Sequence, residues 1–314
     1  MTGRSIQLSI HLANFAQGST DWSGVIDTAV MADDSGIDRV AVSDHVVFGE
    51  QLDAYGRPEL GGATGARQPT GPDGHWLEPL TLLSVIAGRT TRVRLATSIL
   101  QAALRTPAVL AKQLATLDVL SGGRVDLGVG IGWQREEYDA CGLDFHRRGD
   151  LLDRCLAVCH ELWTEQVAAF DDGELSFERI HQMPKPVDPA GVPIWVSGRI
   201  NRRTVDRLVR FGIGWIPWGD HIADPGPGIA ELRRAMDDAG RDPGSLEVQS
   251  HLVVVTSEDG SVDVEATLSA AEPLVEMGVT DLRLQRRWGV DVATDAEVAG
   301  ALVSEFRRQY RSDA

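Results

Sequence analysis

RVRLATSILQAALRTPAVLAKQLATLDVLSGGRVDLGVGIGWQREEYDACG, from Arg92 to Gly142, holds two strand–loop–helix units joined by a tight turn. The first opens with an apolar strand, Arg94 to Ser98, and crosses a loop at Ile99 to Thr106. It enters a helix through Pro107, whose fixed φ and missing N–H suit a first helical turn. Across Ala108 to Leu120, the residues Val109, Leu110, Leu114, Leu117 and Leu120 recur near the period of one buried face. Gly122 and Gly123 follow, and glycine ends a helix at little cost because it accepts the left-handed conformation. The next strand, Arg124 to Val129, is apolar with little alternation, as befits a parallel strand covered on both faces.

The same rhythm extends in both directions. Strands are predicted near Ile6–Leu12, Arg39–Ser43, Val93–Ser98, Val125–Val129, Ile194–Ser197, Gly214–Ile216, Glu247–Val255 and Leu282–Leu284. Helical patterns cover Ser23–Ser35, Pro79–Arg89, Ala108–Leu120, Leu151–Trp163, Arg202–Phe211, Gly228–Ala239, Val262–Met277 and Asp295–Tyr310. Eight alternations predict an α/β fold, a TIM (β/α)8 barrel forming a single domain over residues 1–314. Alternation alone also admits a doubly wound open sheet. Two stretches interrupt the pattern as insertions, near residues 48–76 and 165–193. The first is rich in Gly and Pro and too long for a plain connection, which suggests a mobile lid over the barrel mouth or an insertion without function. In the second, FDDGELSFE reads as a hairpin turning at Asp172–Gly173, and the MPKPVDPAGVP run after it reads as extended.

The formal charge of −16 makes nucleic acid and anionic membranes poor partners. No leader segment and no apolar run of spanning length is evident, so a cytoplasmic protein without membrane attachment is expected. Among 30 basic residues only Lys112 and Lys185 are lysines, a bias of high-GC genomes such as those of actinobacteria. Cys155 and Cys159 share a helix face and His160 adjoins them, but no CxxC or second His cluster completes a ligand set. No metal is therefore predicted, and the thiols read as buried and reduced.

Strand ends carry the chemistry of barrel enzymes, and here they are small or polar. Asp44 and His45 directly follow RVAVS; an imidazole titrating near 6.5 can take or give a proton there, while the bland alternative is a pair that caps the loop. Thr97, Ser98 and Ile99 end the third strand. Gly130 and Gly132 lack a Cβ and let the backbone approach a flat ring, with Trp133 as a wall. Arg135 stands where the dinucleotide fingerprint has its third glycine, which argues against nicotinamide binding of the Rossmann type. Glu136 and Glu137 offer an acid, though glutamates opening a helix also simply favour its dipole, and the latter reading is preferred. Ser197, Gly198, Arg199 and Asn201, with Asn201 as helix N-cap and Arg202 nearby, form an anion site at a helix start. Trp76, Trp133, Trp218 and Trp288 fall in loops on the same face and are candidates to line a substrate pocket.

Four segments together resemble the luciferase-like monooxygenase superfamily: SDH at Ser43–His45, TPAVLAKQLATLDVLSGGR at Thr106–Arg124, LGVGIGW at Leu127–Trp133 and PIWVSGR at Pro193–Arg199. The Ser–Asp–His strand end is more similar to the branch that uses coenzyme F420, a deazaflavin, than to the FMN branch. The resemblance implies an F420-dependent oxidoreductase moving a hydride between the deazaflavin C5 and a small organic substrate. His45 and Asp44 would be catalytic, with Asp44 also meeting the coenzyme. Thr97, Ser98, Ile99, Gly130, Gly132, Ser197, Gly198, Arg199 and Asn201 would hold the cofactor, with a cis peptide at Ser98–Ile99. It leaves a homodimer as the assembly to expect. An FMN-dependent monooxygenase and a non-catalytic flavin-binding barrel are the alternatives. The phosphate segment departs from the family's run, with RIN in place of HSP and Ile213 in place of an aspartate. Trp133 stands where sugar-phosphate dehydrogenases of the superfamily have a carboxylate, so their acid and substrate do not carry over.

Overall fold

Eight parallel strands close on themselves in a computed structural model that describes residues 6–18, 20–58 and 62–310. In chain order the elements up to the hairpin are β1 (Gln7–His11), β2 (Phe15–Ala16), α1 (Ser23–Ser35), β3 (Arg39–Val42), β4 (His75–Trp76), α2 (Pro79–Ala87), β5 (Arg94–Thr97), α3 (Pro107–Ser121), β6 (Val125–Val129), α4 (Arg135–Ala140), α5 (Arg148–Thr164), β7 (Ala168–Asp171) and β8 (Ser176–Ile180). There follow β9 (Ile194–Gly198), α6 (Arg202–Phe211), β10 (Gly212–Pro217), α7 (Gly226–Asp238), β11 (Glu247–Val253), α8 (Val264–Ser269), α9 (Glu272–Met277), β12 (Asp281–Gln285) and α10 (Val292–Tyr310). Around the barrel the order is β1-β12-β11-β10-β9-β6-β5-β3, every pair parallel. This closure removes the open doubly wound sheet from consideration.

Local chemistry explains the boundaries. Thr106 precedes Pro107 at the start of α3, and Gly122 ends that helix in the left-handed region at φ 72°, where its N–H returns to Asp118 and Val119. All five residues of β6 are buried, with the helices outside and the barrel interior within. The single helix expected over Val262–Met277 is in fact α8 and α9. Pro273 has no N–H to donate and its ring crowds the preceding turn, so the helix stops and restarts at Ala270–Ala271.

Inside the lower barrel, Arg39 donates to Asp126 at 2.8 Å and also pairs with Asp281, while Arg94 grips Asp126 through two bonds of 2.7 Å. Burial would raise the Asp126 carboxyl, but Arg39 and Arg94 outweigh it and hold the group below the usual carboxylate range.

The insertions take defined places. β7 and β8 form the expected antiparallel hairpin, with Asp172–Gly173 in its turn. β4, at the end of the first insertion, pairs with β2 after the first barrel strand, and Phe15 stacks on Trp76 at 4.5 Å. That pairing fastens the segment across the mouth of the barrel. Residues 59–61 of the insertion lie outside the described set. No described helix is long and apolar enough to cross a membrane. Cys155 and Cys159 are free and buried on α5.

Candidate active site

The C-terminal ends of the barrel strands surround a cavity of about 550 Å³, well inside the range of about 300–1,000 Å³ found for small-molecule sites. The loops after β3, β5 and β6 bring Asp44, His45, Ser98, Ile99, Gly130, Gly132 and Trp133 to one wall. Ser197 and Gly198 close β9, and Trp218 follows β10. Tyr55, Gln68, Pro69 and Trp76 of the first insertion complete the roof. Most of the residues read as site candidates are thus assembled in one place.

His45 is the best organised of them. Its Nδ1 lies 3.2 Å from Glu137 Oε1, a carboxylate with no solvent exposure, and its Nε2 faces the cavity 3.4 Å from the Gln68 amide nitrogen. A carboxylate only accepts, so the proton of the neutral ring sits on Nδ1 and Nε2 is left with its lone pair. Glu137 also accepts from the Val46 N–H at 2.9 Å and from Gln101 Nε2 at 2.9 Å through each oxygen. Phe48, Trp76 and Trp133 pack around the imidazole, with ring centroids 4.4, 4.8 and 6.1 Å away. The helix-dipole reading of Glu137 is therefore replaced: burial and four bonds make it the group that orients His45. Glu136 has no such role, because its side chain fills the space over Gly49.

Asp44 is held by a separate set of partners. Arg105 grips both of its oxygens, at 2.6 and 2.9 Å, and the Gln101 N–H adds a third bond at 2.9 Å. The carboxylate borders the cavity but is spent on anchoring the loop after β5. Thr97 is buried and donates to the Gly128 carbonyl at 2.8 Å, below the cavity floor. The Ser98–Ile99 peptide is cis. Gly130 and Gly132 line the cavity, but an added Cβ would first meet Ile99 at 2.8 Å and the Gln101 amide oxygen at 1.8 Å. A side chain at either position would displace Ile99 or Gln101, and at Gly132 a φ of 69° favours glycine as well.

At the anion end, Asn201 caps α6 by accepting from Thr204 N at 3.1 Å, as expected of an N-cap, and stays outside the cavity wall. Arg199 is also outside the wall, and its buried Nε has no partner among the described residues. Arg202 is almost fully exposed. Trp288 is a core residue whose indole N–H lies 3.4 Å from the Leu284 carbonyl, so it does not line the site. By contrast, the indole N–H of Trp133 is buried without an acceptor among the described residues.

The far wall escaped the reading of the sequence. It is built from His11 on β1, Gln249 and His251 on β11, and Arg283 on β12. Burial foremost, with Arg283 and His251 adding repulsion, pulls the His11 pKa down to about 3. Burial and Arg283 bring His251 to about 4. Both rings are neutral at pH 7, and His11 Nε2 lies 2.9 Å from the Ser43 hydroxyl. Burial and repulsion from Arg39 lower Arg283 itself to about 9.

A family model described as luciferase-like monooxygenase matches residues 5–278. The chain belongs to that family. An uncharacterized protein of Mycobacterium tuberculosis is 26% identical over 292 residues, 90% of this chain and 92% of its own length. A phthiodiolone/phenolphthiodiolone dimycocerosates ketoreductase of Mycobacterium kansasii is 30% identical over 237 residues, 71% of this luciferase-like chain and 61% of that protein. Among solved structures, the FMN complex of 3,6-diketocamphane monooxygenase from Pseudomonas putida superposes with a TM-score of 0.74 at 14% identity, covering 97% and 98% of the two chains. An F420-dependent secondary alcohol dehydrogenase, in complex with an F420-acetone adduct, gives 0.69 at 16% identity, covering 94% and 99%. The luciferase-like barrel is therefore shared by F420 enzymes and FMN monooxygenases.

Proposed function

We propose that this luciferase-like protein is an F420-dependent oxidoreductase that interconverts a carbonyl and an alcohol on a small organic substrate. The observation that carries the reading is the Glu137–His45 pair, which holds the ring through Nδ1 and turns Nε2 toward a cavity large enough for a tricyclic ring and a substrate together. The ketoreductase among the relatives supports the same direction.

The fit to a flavin-type ring rests on this chain's own groups. Trp133 and Ile99 offer apolar surface, and the unpartnered Trp133 N–H is a donor awaiting an acceptor. Ser197 and Gly198 lie beside the N-terminus of α6, where free backbone N–H groups favour an anion such as a cofactor phosphate. The cofactor, when bound, supplies the hydride donor or acceptor. His45 then handles the proton: its Nε2 takes one from a substrate hydroxyl, or returns it to a carbonyl oxygen being reduced, while Glu137 holds the ring and stabilises its charged form. Asp44 and Arg105 keep the loop after β5 in place, and Tyr55, Gln68 and Trp76 roof the cavity.

The test is anaerobic turnover of reduced F420 against a panel of ketones, followed by deazaflavin absorbance with product analysis. Ketone-dependent oxidation that is lost in His45→Ala, with F420 affinity retained, is the expected result. Oxygen-dependent product formation with reduced FMN, and none with F420, would transfer the site to the monooxygenase reading.

A further inference from the structure

Arg283 and Gln249 sit on neighbouring strands, β12 and β11, and both reach the cavity wall. Arg283 is buried to 5% exposure, yet among the described residues its bonds go only to hydroxyls: Ser98 Oγ at 2.6 Å and Ser9 Oγ at 3.4 Å. The nearby carboxylates are already engaged. Asp126 is held by Arg39 and Arg94, Asp281 by Arg39 and Ser9, and Asp44, the cavity's own carboxylate, by Arg105. His11 and His251 add no charge at neutral pH. Gln249 is 2% exposed and its amide Nε2 has no acceptor among the described residues. The Gln285 amide nitrogen lies 2.9 Å from His251 Nδ1, which leaves the His251 proton on Nε2 as a further neutral donor.

A guanidinium withdrawn from water without a counter-charge is destabilising, and so is a buried amide N–H without an acceptor. Two such groups on one wall of a cavity, on paired strands and two positions apart in register, point to a ligand that satisfies both. Guanidinium geometry matches a planar pair of oxygens. We infer that the organic substrate carries a carboxylate, received by Arg283 and Gln249 on the β11–β12 wall. This rests on reading the cavity as the substrate site of an oxidoreductase. It assigns the β11–β12 wall to the substrate and leaves the wall of Ile99 and Trp133 to the cofactor ring.

The experiment uses the full chain without cofactor. Benzoate, cinnamate and hexanoate are titrated beside their neutral amides, with tryptophan fluorescence and thermal unfolding as readouts. At least one acid is expected to bind about tenfold or more tightly than its amide. That preference should vanish in Arg283→Met, persist in part in Arg283→Lys, and weaken in Gln249→Ala. The unliganded Arg283→Met protein should melt no lower than the parent, because an uncompensated buried charge has been removed. No acid preference in the parent, or equal loss in the Lys and Met variants with a lowered melting temperature, would overturn the inference. So would an Arg283→Met variant whose affinity for F420 or FMN falls about tenfold or more, since the guanidinium would then serve an oxygen of the cofactor. Cofactor binding without acid preference refutes this inference alone. Failure of the parent to bind F420 or FMN refutes the functional reading, whatever the acids do.

Discussion

Glu137→Gln isolates the group that organises His45. The wild-type carboxylate accepts from Val46 N–H, from His45 Nδ1 and twice from Gln101 Nε2, all in the dark interior between β6 and the loop after β3. A hydrogen bond to a charged group contributes about 1.5–3 kcal/mol and a neutral one about 0.5–1.5. The three donors should each lose on the order of 1 kcal/mol. The amide nitrogen also faces the Gln101 amide nitrogen, a donor against a donor, until Gln101 turns over. That turn is available because the Gln101 amide oxygen has no partner among the described residues of the parent. Relief from burying a charge offsets part of the loss, so urea unfolding should show a net destabilisation of about 1–3 kcal/mol. The weaker hold on Nδ1–H should shift the tautomer ratio of His45 by about fivefold, visible in nitrogen NMR of the ring. Hydride-transfer turnover should drop about 10–100-fold. Unchanged stability together with an unchanged His45 spectrum would refute the reasoning.

Three further outcomes are expected. Asp126→Asn leaves Arg39 and Arg94 without their shared buried partner and should cost about 3–5 kcal/mol in urea unfolding. Because the folded carboxyl is held low, the stability it provides is present above its unfolded pKa and lost as the pH falls; the variant should show a flatter acid limb. His11 is held down to about 3, so the unfolded chain binds its proton first as the pH drops from its unfolded value near 6.5. Stability should fall across that window, and His11→Asn should make the fall shallower in unfolding curves taken at stepped pH. Trp133→Phe removes an indole N–H that has no acceptor, so the unliganded protein should lose no more than about 1 kcal/mol while ring-ligand affinity falls; equal affinity would remove Trp133 from the cofactor wall.

The barrel was legible because its punctuation is local. Thr106–Pro107 and Gly122–Gly123 bracket α3 to within a residue, and each barrel strand lies where an apolar run was read. The broken helix at Pro273 shows a local signal that periodicity overrode. Asp44 and His45 announced themselves by following a strand directly. Their partners did not, because Arg105 and Glu137 are 61 and 92 residues away and meet them only through the fold. The far wall had a signal that went unread: Gln249 and His251, and likewise Arg283 and Gln285, are polar at every second position of otherwise buried parallel strands. That period marks the inward face. Trp288 erred in the opposite sense, since an aromatic after a strand end belongs to the core as readily as to a site.

The central claim is tested most directly by titrating the purified protein with coenzyme F420 and, in parallel, with FMN, reading fluorescence. The account predicts micromolar or tighter binding of F420 and much weaker binding of FMN, with F420 affinity reduced in Trp133→Phe. Tight binding of FMN alone, or of neither, would contradict it.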